Sequence, residues 1–306
     1  MIRFLIKRLA MMIATLFVIM LVTFSIMHAI PGGPYSAGKR LPEDIQAALD
    51  AKYHLNDPLT VQFFDYVKGV VHLDLGPSFK YEGLSVNDLI AQGFPISATL
   101  GLMAMLFTVV ISIPLGIIAA LKHGKWQDTL IGVLTTLGVT IPSFVVATLL
   151  EYFLAYRLGW FPIYGVDSLK GYILPMIALS GYSLAFITRL TRSSLMDVMR
   201  SDYIRTARVK GLSERQVVVR HGLRNSLIPV VTVLGPMFAG LLMGSFVVEK
   251  IFALPGMGRF FVQSITNRDY TAIMGFTLFY ATVLVILVFV VDIVYSIIDP
   301  RIQLHD

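Results

Sequence analysis

The chain has 306 residues, of which 56% are hydrophobic and 14% are charged, with a formal net charge of +6 and no cysteine. Its mean hydropathy of +0.75 is far above that of an average soluble domain and predicts that most of the chain is surrounded by lipid. The absence of cysteine excludes disulfides and thiolate metal sites. The positive charge does not require nucleic acid, because cytoplasmic loops of membrane proteins carry the same excess of Lys and Arg.

The first element is a basic cluster, Arg3, Lys7 and Arg8, followed by an apolar run of spanning length, about residues 9–30. It resembles a signal peptide, but no small-residue cleavage site follows the apolar run. The sequence therefore predicts a retained first transmembrane helix.

Residues 31–94 form the longest polar segment, with five basic and eight acidic residues. Three helix-start patterns punctuate it: Pro42-Glu43-Asp44, Asp57-Pro58 and Ser85-Val86-Asn87-Asp88. We expect a small helical extracytoplasmic insertion of three short helices. A piece of this size is marginally stable alone, so we expect it to rest on the membrane bundle or on a partner.

Five further segments have spanning length: about 96–121, 129–156, 171–188, 225–248 and 271–298. Prolines at positions 114, 142, 175, 229 and 236 predict kinks or helix ends. The predicted fold is an all-α, polytopic membrane helix bundle with six transmembrane helices. We expect three regions: 1–30 with the first helix, the insertion 31–94, and a five-helix core 95–306 that carries a cytoplasmic loop at 189–224.

Charges predict the orientation of the chain. Fifteen basic and six acidic residues lie in the parts predicted to be cytoplasmic, which are the N-terminus, the segment 122–128, the loop 189–224 and the residues after the last span. The segments on the other side hold ten basic and eleven acidic residues. Because cytoplasmic loops are enriched in Lys and Arg, both termini are predicted to be cytoplasmic.

The loop 189–224 is the most charged part of the chain, with nine basic and three acidic residues. Each Lys or Arg costs about 2.5–3.5 kcal/mol at a membrane centre, so this loop is predicted to lie in water. Ser201 and Asp202 are predicted to cap a helix, Tyr203–Lys210, that stops at Gly211.

A second helix is predicted to start with a capping box of Ser213 and Gln216, and to carry an apolar stripe of Val219, Leu223 and Leu227. The loop could be a solvated segment that only fixes topology, or a docking surface for a cytoplasmic partner. Caps, a glycine stop and an apolar stripe favour the docking surface, because a flexible loop needs none of them.

Three other sequence patterns concern ATP binding, metal binding and helix packing. Residues 33–40 match the first seven positions of a phosphate-binding loop, but Arg40 stands where Ser or Thr is needed and Pro34 removes a backbone N–H, so no ATP binding is predicted. The histidines lack metal-ligand spacing, so no metal site is predicted. Gly240-Leu-Leu-Met-Gly244 is a small-residue pattern that predicts close helix packing.

The segment from Tyr203 to Gln216, Tyr-Ile-Arg-Thr-Ala-Arg-Val-Lys-Gly-Leu-Ser-Glu-Arg-Gln, resembles the cytoplasmic "EAA" loop of ABC-importer permeases in its peptide-transport branch. Arg205-Thr206-Ala207 stands where Glu-Ala-Ala is usual, and Gly211 has the expected spacing. Arg224 stands where the general motif has proline. The resemblance extends along nearly the whole chain through the stretches at 30–34, 53–58, 76–81, 249–258, 267–270 and 299–301.

The resemblance implies a permease subunit in a bacterial inner membrane. Such a subunit is not an enzyme and binds no cofactor, because ATP and magnesium are held by partner subunits. The implied partners are a second homologous permease, two ABC ATPase subunits, an extracytoplasmic peptide-binding protein and a peptide substrate. The implied ATPase-coupling residues are Arg205, Thr206, Ala207, Gly211, Leu212, Ser213, Glu214 and Arg215. The implied residues of a loop at the outer mouth are Glu249, Leu254, Pro255, Gly256, Gly258, Arg268 and Asp269.

The stretches at 76–81 and 85–89 favour oligopeptides as the cargo, and dipeptide or nickel permeases remain alternatives. Two further hypotheses come from other classes. A stand-alone proton-coupled peptide symporter would use the acids within the spans, Glu151 and Asp292. An intramembrane hydrolase would use Ser183 as nucleophile, although the only histidine in a span is His28, at its end.

Overall fold

The structure is a computed structural model that describes residues 2–30, 56–166, 168–243 and 246–298. The first helices are α1 (Ile2–Ala29), α2 (Leu59–Val71), α3 (Val86–Leu121), α4 (Trp126–Thr140) and α5 (Ser143–Leu150), which continues as a π-helical segment, Glu151–Arg157. They are followed by α6 (Lys170–Met199), α7 (Asp202–Val209), α8 (Glu214–Gln216), a second π-helical segment (Val217–Gly222) and α9 (Leu223–Ser226). The last are α10 (Ile228–Met243), α11 (Phe246–Ile251), α12 (Met257–Asn267) and α13 (Tyr270–Ile298).

The predicted fold class is confirmed. Within the described residues, five helical stretches are long and apolar enough to cross a membrane: Ile6–Ala29, Val86–Leu121, Lys170–Met199, Ile228–Ile251 and Tyr270–Val291. The pair Trp126–Thr140 and Ser143–Arg157 makes a sixth if the two helices form one span.

The third predicted span differs from a straight helix. Its two halves are bent by 101° at the break between Thr140 and Ser143. Ile141 is extended, with φ −83° and ψ 120°, as expected for a residue before proline, and Pro142 has no N–H to continue the ladder. Pro229 also lies at a helix start, whereas prolines 114, 175 and 236 lie inside helices.

The helix start at Ser85 is where the sequence predicts it. The Ser85 hydroxyl accepts a hydrogen bond from the Asp88 N–H at 3.1 Å, and the Asp88 carboxylate accepts one from the Ser85 N–H at 2.9 Å. The helix is not short, however: α3 runs through Gly93 and Pro95 and continues to Leu121. The start at Asp57-Pro58 gives α2, and the predicted start at residues 42–44 lies outside the described residues.

The chain divides into two compact units. The first comprises residues 1–97, 255–286 and 304–306. Its core joins α1, α2 and the start of α13 through Phe24, Phe63, Tyr270 and Ile273. The rings of Phe24 and Phe63 make an edge-to-face contact with centroids 5.3 Å apart.

The second unit comprises residues 98–254 and 287–303 and depends on glycines for its close helix contacts. A Cβ added at Gly116 would lie 2.6 Å from the Thr191 Cβ, and one at Gly138 would lie 3.0 Å from the Gly181 carbonyl oxygen. Gly240 differs, because it is exposed and no described atom lies within 4 Å of an added Cβ. Gly244 lies outside the described residues, so the packing role predicted for this pair stays a prediction.

Candidate functional site

The charged module, defined here as residues 201–227, follows the long helix α6. Its first helix, α7, begins at Asp202 with Ser201 in an extended conformation at the N-cap. The Ser201 hydroxyl donates to the Val198 carbonyl at 2.6 Å and makes no side-chain cap bond, so this part of the predicted cap is wrong. The start of α7 is instead joined to α6 through the Ser201 side chain.

The end of α7 before Gly211 and the start of the next helix at Ser213 are as the sequence predicts. The backbone at Gly211 has φ +79°. Residues with a Cβ adopt this left-handed conformation only at a cost in free energy, whereas glycine adopts it readily. Two residues later the capping box forms: the Ser213 N–H donates to Gln216 Oε1 at 3.1 Å, and the Gln216 N–H donates to the Ser213 hydroxyl at 3.4 Å.

The module has an apolar core of its own. Ile204, Ala207 and Val217 are buried together, with Val198, Met199 and Leu212 packed against them. This core fixes α7 against the second helical stretch, so α7 is a rigid body and not a loop.

The predicted apolar stripe at residues 219, 223 and 227 is not the most buried set of side chains on this stretch, although Leu223 and Leu227 are half-buried. Val219 is exposed, whereas Val218, Gly222 and Ser226 are buried. The π-helical turn at 217–222 changes the angle between successive side chains, and so rotates a different set inward. A Cβ added at Gly222 would meet the Met199 sulfur at 3.2 Å, which shows how closely this turn approaches α6.

Most of the predicted coupling residues lie on the surface of the module. The exposed ones are Arg205, Thr206, Gly211, Ser213, Glu214 and Arg215, while Leu212 is half-buried. Ala207 is buried and supports α7 from within. Val209, which the sequence did not single out, is 88% exposed and places an apolar side chain on the outward surface.

Ionic contacts join the module's helices to one another and the C-terminal part of α6 to α4. Arg208 donates to Glu214 at 2.7 Å across the Gly211 turn. Asp128 at the start of α4 accepts two bonds from Arg192, at 2.7 Å and 2.9 Å, in a bidentate pair. A groove of about 760 Å³ is lined by the end of α3, the end of α6 and the module, so these three parts lie at the same end of the second unit.

The segment predicted for the outer mouth is divided between the two units. In the second unit, Glu249 and Leu254 are buried, with 0% and 1% of their surface exposed. The Leu254 N–H donates to the Glu249 carbonyl at 2.8 Å and closes the turn after α11. Both residues therefore hold the local fold.

In the first unit, Gly256 and Gly258 are buried, Pro255 is exposed and Arg268 is half-buried. Gly256 precedes α12 at its N-cap, and Arg268 ends α12 in the left-handed conformation with φ 56°. Asp269 is 1% exposed and caps α13 by accepting from the Ala272 N–H at 3.1 Å.

Asp269 also joins two distant stretches of the chain. Its carboxylate accepts a hydrogen bond from the Ser78 hydroxyl, which in turn accepts from the N–H groups of Lys80 and Tyr81. The Tyr81 hydroxyl donates to Gln263. Burial and the nearby Asp269 raise the pKa of Tyr81, and Arg259 opposes that rise. The stretches at 76–81 and 267–270, which both contribute to the family resemblance, thus form one buried polar network.

The alternative hypotheses of a metal site, a hydrolase and a proton-coupled symporter concern residues outside the charged module. No three His, Cys, Asp or Glu side chains among them are close enough together to hold a metal ion. Ser183 is buried in α6, and Glu151 is half-buried at the start of the first π-helical segment. The side chain of Asp292 lies outside the described residues.

Two family descriptions match the chain. "Binding-protein-dependent transport system inner membrane component" matches residues 112–304, and "Binding-prot-dependent transport system membrane comp, N-term" matches residues 1–101. Together they cover both ends of the chain and confirm the resemblance to ABC-importer permeases.

Two relatives match over nearly their full lengths. The dipeptide transport system permease protein DppB of Bacillus subtilis is 47% identical over 99% of this chain and 98% of its own length. The oligopeptide transport system permease protein OppB of Escherichia coli is 44% identical over 99% of this chain and 100% of its own length.

Two solved structures share the fold. A chain from the inward-facing MetNI methionine ABC transporter has a TM-score of 0.53 at 19% identity, and covers 69% of this chain and 94% of that chain. A chain from an amino acid ABC transporter with histidines has a TM-score of 0.50 at 17% identity, and covers 71% of this chain and 95% of that chain. The match over residues 112–304 and the relatives at 44% and 47% identity show that this chain belongs to the binding-protein-dependent transport system inner membrane component family.

Proposed function

We propose that this chain is one permease subunit of an ATP-driven peptide importer, and that the charged module is its docking surface for an ABC ATPase. The observation that carries the proposal is the two-sided structure of α7. One side is buried in the module's own core through Ile204 and Ala207, and the other presents Arg205, Thr206 and Val209 to the surface.

This arrangement suits a part that transmits movement. A helix that is stopped by Gly211 and braced by a core moves as one body, whereas a flexible loop would dissipate a displacement. In the proposed cycle, ATP binding closes two partner ATPases and the docked modules move with them. The bundle then turns from inward-facing to outward-facing, and hydrolysis resets it.

The translocation path requires a second, homologous permease, and substrate arrives from an extracytoplasmic peptide-binding protein. In this proposal, both termini and the charged module lie in the cytoplasm. The groove that joins the module to the end of α3 supports this placement, because it brings Lys122 and the basic residues of the module to one end of the unit.

For the cargo we propose oligopeptides, supported by the stretches at 76–81 and 85–89. The 47% identity to a dipeptide permease makes dipeptides the second candidate. Competition between a labelled pentapeptide and unlabelled dipeptides, in ATP-dependent uptake by the reconstituted complex, separates the two. Oligopeptide transport predicts weak competition by dipeptides, and strong competition would replace it with dipeptide transport.

The docking role is tested by Val209→Asp, which adds a charge to the exposed surface of α7 without touching its core. We expect insertion into the membrane to be unchanged, co-purification of ATPase subunits to fall and peptide uptake to be lost. Leu169→Asp is the matched control, because Leu169 is also an exposed apolar residue but lies beside the start of α6, outside the module. Unchanged uptake by the Val209 variant would contradict the proposal.

Peptide uptake by the purified chain alone, driven by a proton gradient in vesicles, would replace the proposal with the symporter hypothesis. The ATP-driven account predicts no uptake under those conditions.

A further inference from the structure

Arg189 has an unusual place in the fold. It lies in the candidate span Lys170–Met199, ten residues before the end of α6, and its side chain is exposed on the surface of the chain. At 1.5 Å per residue, it lies about 15 Å from the end of the helix and about 4.5 Å from the next charged residue, Arg192. Charged residues at such positions are rare, and they usually face a bundle interior or a water-filled cavity.

The side chain of Arg189 points away from the charged end of the helix. Arg192, three residues later, pairs with Asp128 at the start of α4. Arg189 instead donates to the hydroxyls of Thr135 at 3.2 Å and Thr136 at 2.9 Å. These threonines are seven and eight residues beyond Asp128 in α4, or about 10–12 Å along its axis, whereas the two arginines are only about 4.5 Å apart along α6. Arg189 therefore does not snorkel toward the charged end but reaches deeper into the span.

The guanidinium of Arg189 is not neutralised by the part of the chain that the structure describes. Its two hydrogen bonds go to uncharged hydroxyls, although a guanidinium carries five N–H donors. None of the described acids forms an ion pair with it; Asp128, the acid that lines the same groove, is held by Arg192.

The surroundings of Arg189 form an open groove between α4 and α6. The groove has a volume of about 920 Å³ and is lined along its length by hydroxyl side chains as well as apolar ones. The hydroxyl-bearing side chains are Thr129, Thr135, Thr136, Thr188 and Ser193. A surface with several hydroxyls and a cation that no described acid pairs is a poor match for lipid tails, so this face is suited to a polar path.

We propose that Arg189 binds the C-terminal carboxylate of a peptide as it passes through the translocation path. This inference rests on the proposed function in peptide import. Every peptide with a free C-terminus carries one carboxylate at neutral pH, and taking it out of water into a membrane passage is costly unless a cation pairs with it. The planar guanidinium suits that partner, because its N–H groups can bind both carboxylate oxygens at once.

The test uses the complete reconstituted complex with a saturating concentration of binding protein, and compares trialanine with trialanine amide. Arg189→Gln should lower the maximal ATP-dependent uptake rate of trialanine roughly tenfold, because a hydrogen-bonded charge pair is lost. The ratio of variant to wild-type rate should stay near one for the amide, whose terminus is neutral. Arg189→Lys, which keeps the charge, should restore part of the trialanine rate.

A second measurement uses the absence of cysteine from the chain. Thr136→Cys lies in the groove, and Leu134→Cys lies on the same helix, exposed but outside the groove. A negatively charged aqueous thiol reagent should label the cysteine at position 136, trialanine should slow that labelling, and position 134 should stay unlabelled. Absence of labelling at position 136, or no protection by trialanine, would overturn the proposal.

Three other outcomes would overturn it. Equal loss of uptake for trialanine and its amide would show that Arg189 serves the fold or the cycle rather than the carboxylate. Loss of the second permease from the purified complex of the Arg189→Gln variant would assign Arg189 to an interface between subunits. Loss of a co-purifying phospholipid, with trialanine uptake unchanged, would assign it to a lipid phosphate. If the wild-type complex takes up neither peptide, the proposed import function fails first, and this inference fails with it.

Discussion

The charged module differs from the segment Glu249–Asp269, here called the outer segment after its predicted place. Both carry residues that contribute to the family resemblance, but these residues are mostly exposed in the module and mostly buried in the outer segment. In the module, six of the eight predicted coupling residues are exposed, and the core beneath them is built from Ile204, Ala207 and Val217. In the outer segment, most of the predicted residues are buried, including both acids, Glu249 and Asp269.

The difference separates residues that are free to meet a partner from residues that build the fold. Arg205 is exposed and contributes little to the stability of its own helix, so its side chain is available for the proposed contact with a partner. A buried Asp269 that accepts from Ser78 and from the Ala272 N–H contributes to stability whether or not a binding protein is present. The role of the outer segment in receiving a binding protein stays a prediction, and its exposed Pro255 is the best placed of the predicted residues for it.

The largest expected effect comes from Ile204→Asp. An unpaired carboxylate would enter the core of the module and destabilise it by about 3 kcal/mol or more. Hydrogen exchange of residues 202–209 in the purified complex should rise sharply, and peptide uptake should be lost. Val209→Asp is the matched control, which should lose uptake with no change in exchange. If both variants exchange alike, the division of α7 into a buried and an exposed side is wrong.

Asp269→Asn should have the next largest effect. The change removes the charge that the Ser78 hydroxyl and the Ala272 N–H contact, which we expect to cost about 2 kcal/mol. Thermal unfolding of the complex should begin at a lower temperature, while uptake per folded molecule should be unchanged. Lost uptake with unchanged thermal stability would mean that Asp269 acts on a partner, and that the comparison between the two segments fails.

Gly211→Ala should destabilise the module by about 1 kcal/mol through backbone strain alone, because φ is +79° and no described atom lies within 4 Å of an added Cβ. Gly211→Asn is the control, since asparagine tolerates the left-handed conformation better than alanine. Hydrogen exchange of α7 should rise more for the alanine variant than for the asparagine variant. Equal exchange in both would show that the turn relaxes without strain.

The smallest effect should come from Glu214→Gln, which breaks the exposed pair with Arg208. Pairs of this kind contribute about 0.5 kcal/mol, and salt screens them. The difference in exchange between this variant and wild type should therefore shrink at high salt. A difference that persists in high salt would indicate that Glu214 supports the turn by other means.

The sequence was sufficient where structure depends on local chemistry. The Gly211 stop, the Ser213–Gln216 capping box and the helix start at Ser85 are set by residues within a few positions of one another, so their patterns could be read directly. Apolar runs of spanning length were likewise sufficient for the fold class.

Features that depend on distant residues were not predicted. A kink or helix end was predicted at five prolines, and the 101° break at Pro142 confirms it there, whereas Pro175 lies inside a helix, so the pattern alone did not tell the two apart. Close helix contact was predicted at Gly240, and among the described residues it is found at Gly116 and Gly138 instead. Such contact needs a residue at the matching position of another helix, which the local pattern does not show. Arg189 was counted with the cytoplasmic loop, since nothing near it in sequence indicates Thr135 and Thr136.

The burial of Ala207 also changes the choice of test. Ala207 is one of the coupling residues that the family resemblance implies, so Ala207→Asp would be a natural way to test coupling of transport to ATP hydrolysis. Since Ala207 lies in the core with Ile204 and Val217, that change would disturb the fold of the module before it reported on docking. Val209, with 88% of its surface exposed, is the better probe.

The most direct test of the docking role is therefore a crosslink from Val209→Cys, in a chain that has no other cysteine. A short reagent that joins a thiol to an amine is applied to membranes containing the complete importer, with Leu169→Cys as control, and the crosslinked products are identified by mass spectrometry. The account predicts a product between position 209 and an ABC ATPase subunit, and no such product from position 169. A product with the extracytoplasmic binding protein, or no ATPase product from position 209, would contradict it.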